Sequence, residues 1–174
     1  AVGMGKVLAD ELGGELDVVL VRKLGAPFNP EFAVGAVDES GWAYIAGHAA
    51  SAGADTAYLE GEKQAQMETL RKRRAQYTPA RPPLDPKDRI VIVVDDGIAT
   101  GTTVRAALKA LRRRGAARLV LAVPVAPHDT LTQLRREVDR IVCLAEPDPF
   151  RAIGLHYDDF EQVSDEKVIA ALEG

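Results

Sequence analysis

Arg89-Ile90-Val91-Ile92-Val93-Val94-Asp95-Asp96-Gly97-Ile98-Ala99-Thr100-Gly101-Thr102-Thr103 is the stretch that decides the fold. An unbroken apolar run, Ile90 to Val94, ends in two adjacent carboxylates, and a loop of glycines and threonines follows. A β-branched run without alternation is the pattern of a strand buried on both faces of a parallel sheet. Val104, Ala107, Leu108 and Leu111 then recur at helical spacing and give one apolar face. A strand that turns through such a loop into a helix gathers backbone N–H groups and the positive end of a helix dipole at one point, which suits an anion. The hydroxyls of Thr100, Thr102 and Thr103 add donors, and Gly97 and Gly101 let the backbone approach closely. Asp95 and Asp96 cannot bind phosphate themselves. They suit sugar hydroxyls, or a hydrated Mg²⁺ that accompanies the phosphate.

Outward from this unit, Leu119–Val125 and Val138–Leu144 read as two further buried strands, with a helix carrying Leu131, Leu134 and Val138 between them. Strand, helix, strand, helix, strand with short links means right-handed crossovers and a parallel sheet. Leu16–Val21 reads as another buried strand, ending in Arg22-Lys23 and the loop Leu24–Pro30. Two cations there would sit at the carboxyl edge, where open α/β sheets bind ligands. Residues 2–12 read as a helix stopped by Gly13-Gly14, and Ser164-Asp165-Glu166 opens a capped terminal helix. Residues 31–46 alternate around Asp38–Gly41 and suggest a hairpin outside the main sheet, with Trp42 and Tyr44 as packing residues. Residues 58–76 form a charged helix with a thin stripe of Leu59, Met67 and Leu70; its basic end, Arg71–Arg74, reads as favourable helix-terminal charge. Four prolines in Tyr77–Pro86 make that stretch a loop.

Composition narrows the class. The 174 residues, 47% hydrophobic and 28% charged, are those of one ordinary globular domain. A net charge of −4 argues against nucleic acid as the main partner. The single cysteine, Cys143, excludes an internal disulfide, fits a cytoplasmic setting, and lies in an apolar run as a structural thiol. No stretch approaches the ~18 apolar residues of a membrane span. His48, His128 and His156 lack metal-ligand spacing.

Among phosphate loops, a P-loop is excluded because Gly97 and Gly101 are one residue too close and no lysine follows Gly101. The G-x-G-x-x-G dinucleotide fingerprint is also absent. Val91 to Thr103 instead resembles the 5-phosphoribosyl-1-pyrophosphate (PRPP) motif of type I phosphoribosyltransferases: four apolar residues, two acids, then a Thr/Gly-rich loop. Val21-Arg22-Lys23-Leu24-Gly25 looks like the strand end that opens the mobile catalytic loop of adenine-type members. The whole chain, including Pro124–Pro127 and Asp159–Asp165, is similar to a bacterial branch of predicted phosphoribosyltransferases.

The resemblance implies one α/β domain over 1–174, a parallel sheet flanked by helices, with residues 31–88 (hairpin, charged helix, Pro-rich loop) inserted in it. It implies that Asp95 and Asp96 hold the ribose hydroxyls, directly or through Mg²⁺. Gly97 and Ala99, Thr100, Gly101, Thr102 and Thr103 would wrap the 5′-phosphate, and Arg22 and Lys23 would act on departing pyrophosphate. The implied partners are PRPP, an unidentified base or other nitrogen acceptor, and a second copy in a homodimer; the implied setting is nucleotide metabolism. A PRPP-sensing regulator is the alternative that the same loop allows, and a phosphatase with an Asp95 nucleophile leaves the threonines unexplained. Ala99 replaces an acid that purine-salvage members use near the base, which disfavours hypoxanthine-guanine chemistry. Phe150, Ile153 and Tyr157 are candidate acceptor contacts. Members also carry a glycine-containing pyrophosphate loop after a strand ahead of the segment matching residues 2–12; Ala1–Gly5 is expected as its remnant, or the strand and loop are missing.

Overall fold

The computed structural model describes residues 1–173. Three strands, β4 (Ile90–Val94), β5 (Arg118–Val125) and β6 (Arg140–Ala145), form a parallel sheet in that order. Val91 lies opposite Leu119, and Leu121 opposite Ile141. The crossovers are α3 (Thr102–Arg113) and α4 (His128–Leu134). Consecutive right-handed crossovers put both helices on the same face. There Val104, Leu108 and Leu111 of α3 and Leu131 and Leu134 of α4 pack on Leu119, Leu121 and Val123 of β5. Val91, Val93, Ile141 and Cys143 border this core from the flanking strands.

The other face is largely open. Ile90 is 67% exposed, Ile92 37%, Val142 40% and Leu144 79%. The unalternating β4 run is therefore covered on one face only, contrary to the two-sided burial expected of it. Helix α1 (Val2–Leu12), stopped by Gly13 in the left-handed conformation, lies against β4 and the terminal helix α5 (Asp165–Glu173) on that side.

A second sheet is antiparallel: β1 (Val21–Ala26), β2 (Asn29–Asp38) and β3 (Ala43–Ile45). It differs from what the sequence suggests. Residues 16–20 join no ladder, and the strand starts at Val21 and continues through the segment read as a loop. Ala26 pairs with Asn29, so Pro27-Phe28 is a two-residue hairpin turn. Arg22 and Lys23 thus stand within an antiparallel strand, opposite Val37 and Ala36, rather than at the end of a parallel one. The β2–β3 connection is the hairpin expected around Asp38–Gly41. Asp38 is buried because its carboxylate accepts from the Ser40 and Trp42 N–H groups and the Ser40 hydroxyl, which satisfies it locally.

Helix α2 (Thr56–Tyr77) starts at Asp55, whose carboxylate accepts the Tyr58 N–H at 2.8 Å. Its Met67 and Leu70 enter a second core with Leu24, Val34 and Val37, while the Tyr58 hydroxyl donates to the Gly25 carbonyl at 2.8 Å. Arg74 does more than terminate the helix. Its guanidinium reaches Asp17 at 2.8 Å and Glu39 at 2.6 Å and donates to the Val18 carbonyl, in a site where all three ionic side chains are less than one-fifth exposed. It ties α2 to residues 16–18 and to the hairpin. The Pro-rich loop is tied to the same segment, with Arg81 donating to the Leu16 carbonyl and the Leu84 N–H to Asp17.

Between residues 18–21 and β4 runs an apolar groove of about 480 Å³, walled by Val18, Val19 and Val21 on one side and Ile90, Ile92 and Val94 on the other. Glu15 contacts Arg89 at one end of it, and Ala1 contacts Asp96 at the other. Among the described residues neither wall has a strand partner on the groove side.

Candidate active site

The carboxyl edge of the parallel sheet gathers the candidate residues. At the end of β4 the Asp95 N–H still reaches the Ala122 carbonyl, and the Ile98 N–H donates to Val125 at 3.0 Å. These bonds pin the turn to β5 on both sides of Asp96-Gly97. Gly97 is required by close approach: an added Cβ would lie 2.7 Å from Ile153 Cγ2 and 2.9 Å from Val125 Cγ1. Ile98 is the buried plug of the loop, 2% exposed. Gly101 has φ 76° and caps α3, a conformation that glycine adopts without Cβ strain. No side chain caps this helix, and the first helix-bonded N–H is that of Arg105, to the Gly101 carbonyl at 2.8 Å. The N–H groups of Thr102 and Thr103 are accordingly left for an anion. Thr100 and Thr102 hydroxyl oxygens lie 3.4 Å apart at the same mouth. Thr130 of α4 donates to the Ala99 carbonyl at 2.9 Å and props the loop from behind. Nothing in the local sequence pattern marks that prop beyond its place one turn after Pro127.

Burial pushes the Asp95 carboxyl above the ordinary carboxylate value; the Asp96 N–H, which donates to its Oδ1 at 2.9 Å, opposes this, and the Asp96 charge adds to it. The Asp96 carboxylate is 40% exposed and lies against the backbone nitrogen of Ala1. One carboxylate is thus fixed and half-buried, and its neighbour is open. Two oxygen-donor groups so placed fit a hard cation such as Mg²⁺ together with sugar hydroxyls. Among the described residues no three His, Cys, Asp or Glu side chains converge as a protein-only metal cage.

The candidate cations are divided. Arg22 donates from Nε to Gln66 of α2 at 2.9 Å, whereas Lys23 is exposed. Val21, at the start of the same strand, lines the groove together with Asp95 and Thr103, and β1 packs against α3. The late segment also comes here. Ile153 covers Gly97, and the Tyr157 hydroxyl donates to the Asp96 carbonyl at 2.5 Å. Burial raises the Tyr157 phenol, and the charges of Asp96 and Asp95 raise it further, so it stays a donor at neutral pH. That bond engages Tyr157, which the sequence suggested only as an acceptor contact. Phe150 stacks on His156. Cys143, half-buried, donates to the Ala145 carbonyl, and burial pushes its thiol up, as befits a structural residue.

The model of the phosphoribosyl transferase domain family matches residues 1–159. Two Mycobacterium tuberculosis proteins named "Putative phosphoribosyl transferase" are each 39% identical over 167 residues, which is 95% of this chain and 38% of theirs. The chain therefore spans less than half the length of the curated relatives it matches. The crystal structure of TT1426 from Thermus thermophilus superposes with a TM-score of 0.82 at 47% identity, covering 96% of this chain and 79% of that one. By sequence over most of its length and by the strand-carboxylate-loop-helix unit at its centre, the chain belongs to the phosphoribosyl transferase domain family.

Proposed function

We propose that the chain binds PRPP at the carboxyl edge of the parallel sheet and transfers its 5-phosphoribosyl group to a nitrogen nucleophile with release of pyrophosphate. The observation that carries this is the turn after β4: two adjacent carboxylates, one fixed by burial and one open, beside the uncapped N-terminus of α3 and its threonine hydroxyls. The Thr102 and Thr103 N–H groups and the hydroxyls of Thr100, Thr102 and Thr103 take the 5′-phosphate. The backbone at Gly97 and from Ala99 to Gly101 closes around it. Asp95 and Asp96 hold the ribose 2′- and 3′-hydroxyls. Mg²⁺, held by the same two carboxylates directly or through water, would neutralise charge on the pyrophosphate.

Displacement at C1 builds positive charge on the ribose ring and negative charge on the departing pyrophosphate. The residues act by placement and field. The carboxylates hold the sugar by its hydroxyls, and Lys23, with Arg22 once it leaves Gln66, faces the leaving group. With Ala99 in the loop, no carboxylate there serves the acceptor as an acid or base, so the acceptor supplies its own nucleophilic nitrogen or another group assists it.

Calorimetry with Mg-PRPP, followed by a pyrophosphate-release assay over a panel of bases and amines, tests the function. Asp95→Asn combined with Asp96→Asn should abolish Mg-PRPP binding and leave the circular dichroism spectrum unchanged. Unchanged affinity would refute the site assignment. Saturable PRPP binding without pyrophosphate release for any acceptor would instead make the chain a PRPP sensor.

A further inference from the structure

We propose that Tyr157 is a positioning residue, whose hydroxyl latches the 149–160 segment onto the Asp96-Gly97 peptide and thereby couples that segment to occupancy of the phosphate loop. The latch itself rests on geometry alone; its effect on PRPP rests on the function proposed above.

The Asp96 carbonyl lies two residues beyond the last rung of β4, where the ladder has run out. Among the described residues its hydrogen-bond partner is the Tyr157 hydroxyl, from 61 positions away. A trans peptide points its C=O and N–H in opposite directions. Holding the Asp96 carbonyl therefore fixes where the Gly97 N–H points, and it steadies the backbone that carries both carboxylates. The tyrosine is itself braced: its ring lies 5.0 Å from that of Phe160, and Phe160 packs against Gly154. Ile153, four residues earlier, rests on Gly97. The segment thus grips one peptide at two points, a hydroxyl on its carbonyl and a side chain on its α-carbon. Filling the loop with a phosphate should tighten the grip, and by linkage loosening the grip should weaken the phosphate site by the same factor.

Tyr157→Phe removes the hydroxyl and keeps the ring against Phe160. The first measurement is backbone amide exchange on the ligand-free protein at residues 96–98 and 153–157. Both segments should exchange about fivefold faster in the variant, the effect of one neutral hydrogen bond. The second is calorimetry with Mg-PRPP and with ribose 5-phosphate, where both dissociation constants should rise severalfold while the melting temperature falls by only roughly 2–4 °C. In the wild type, ribose 5-phosphate should also slow exchange at 153–157, and this protection should vanish in Tyr157→Phe. A merely structural tyrosine would not produce that loss. Phe160→Leu, which weakens the brace and keeps the hydroxyl, should give intermediate values. Exchange at 96–98 unchanged in Tyr157→Phe would overturn the latch, and so would faster exchange with unchanged dissociation constants. A wild-type chain that binds neither ligand would remove the proposed function, and the exchange result would still decide the latch.

Discussion

Gly97→Ala puts a single methyl into the tightest spot of the site. Its Cβ would stand 2.7 Å from Ile153 Cγ2 and 2.9 Å from Val125 Cγ1, against an ordinary contact that begins at 3.4 Å, so the overlaps are 0.7 and 0.5 Å. Val125 cannot yield readily, because it is 1% exposed and closes β5 in register with Ala145 of β6. Ile153 stands on a short 3-10 turn on the surface side and is the softer neighbour. If the turn recedes by the full 0.7 Å and carries Tyr157 with it, the 2.5 Å bond to the Asp96 carbonyl lengthens to at most 3.2 Å. That lies beyond the usual limit of about 3.0 Å for O–H···O bonds. Overpacking by one methyl typically costs about 1–3 kcal/mol, and in a chain of this size each kcal/mol moves the melting temperature by roughly 2–4 °C. The expected result is a melting temperature lowered by several degrees, measured by scanning calorimetry, with weaker ribose 5-phosphate binding. Ile153→Ala in the same chain deletes the clashing Cγ2 methyl and should recover part of both losses. A double-mutant cycle isolates that coupling. Strictly additive losses, or a Gly97→Ala protein as stable as wild type, would refute the packing of the late turn on the loop after β4.

Arg74→Met should cost about 3–5 kcal/mol, the usual effect of stranding buried charge, because Asp17 and Glu39 would lose their shared cation; urea midpoints on the variant measure this, and a loss under about 1 kcal/mol would make the network a solvated surface cluster. Asp95→Asn alone should stabilise the ligand-free protein at neutral pH. Burial raises the folded-state pKa of Asp95 above its unfolded value, so the native state binds the proton more tightly and wild-type stability falls as pH rises through that window. The advantage of the asparagine should therefore be present above the window and disappear as pH drops through and below the ordinary carboxylate range. Melting curves over that range, run beside wild type, check the sign; a variant less stable than wild type at neutral pH would contradict it.

The β4-loop-α3 unit was legible because its signals are local: an apolar run, two acids and a helical repeat lie within one continuous stretch. The limits of α1 and the core stripe of α2 were legible for the same reason. Strand pairing was not. Val18, Val19 and Leu20 have the β-branched and apolar character of a sheet strand, but a ladder needs a partner at the right spacing, and among the described residues none stands beside them. Conversely Leu24–Pro30, rich in glycine and proline, reads as a loop yet makes a hairpin, since Pro27-Phe28 needs only two residues to turn. Tyr157 was legible as an aromatic in a late loop, but its bond to a carbonyl 61 residues away leaves no trace in local periodicity.

The same non-local contacts explain how a site divided between two sheets could work as one. Asp95, Asp96 and the uncapped N–H groups of α3 stand at the edge of the parallel sheet, and Arg22 and Lys23 stand on the antiparallel one. Helix α3 touches both. Its N-terminus leaves the Thr102 and Thr103 N–H groups uncapped, and its far end meets the hairpin, with Lys109 4.5 Å over the Tyr44 ring and Arg113 5.5 Å over the Trp42 ring. Cation–π contacts of this kind contribute roughly 0.5–1 kcal/mol each at partly exposed sites, a small addition to the core packing and the Arg74–Glu39 pair that fix the hairpin on α2. Lys23 sits on β1, the strand paired with β2, and β2 pairs with β3, which carries Tyr44. A cation meant to meet a departing anion must be near while the substrate is bound and free to move when product leaves. Because the hairpin is also anchored by its buried Leu24, Val34 and Val37 and by the Arg74–Glu39 ion pair, that freedom falls to the exposed Lys23 side chain itself.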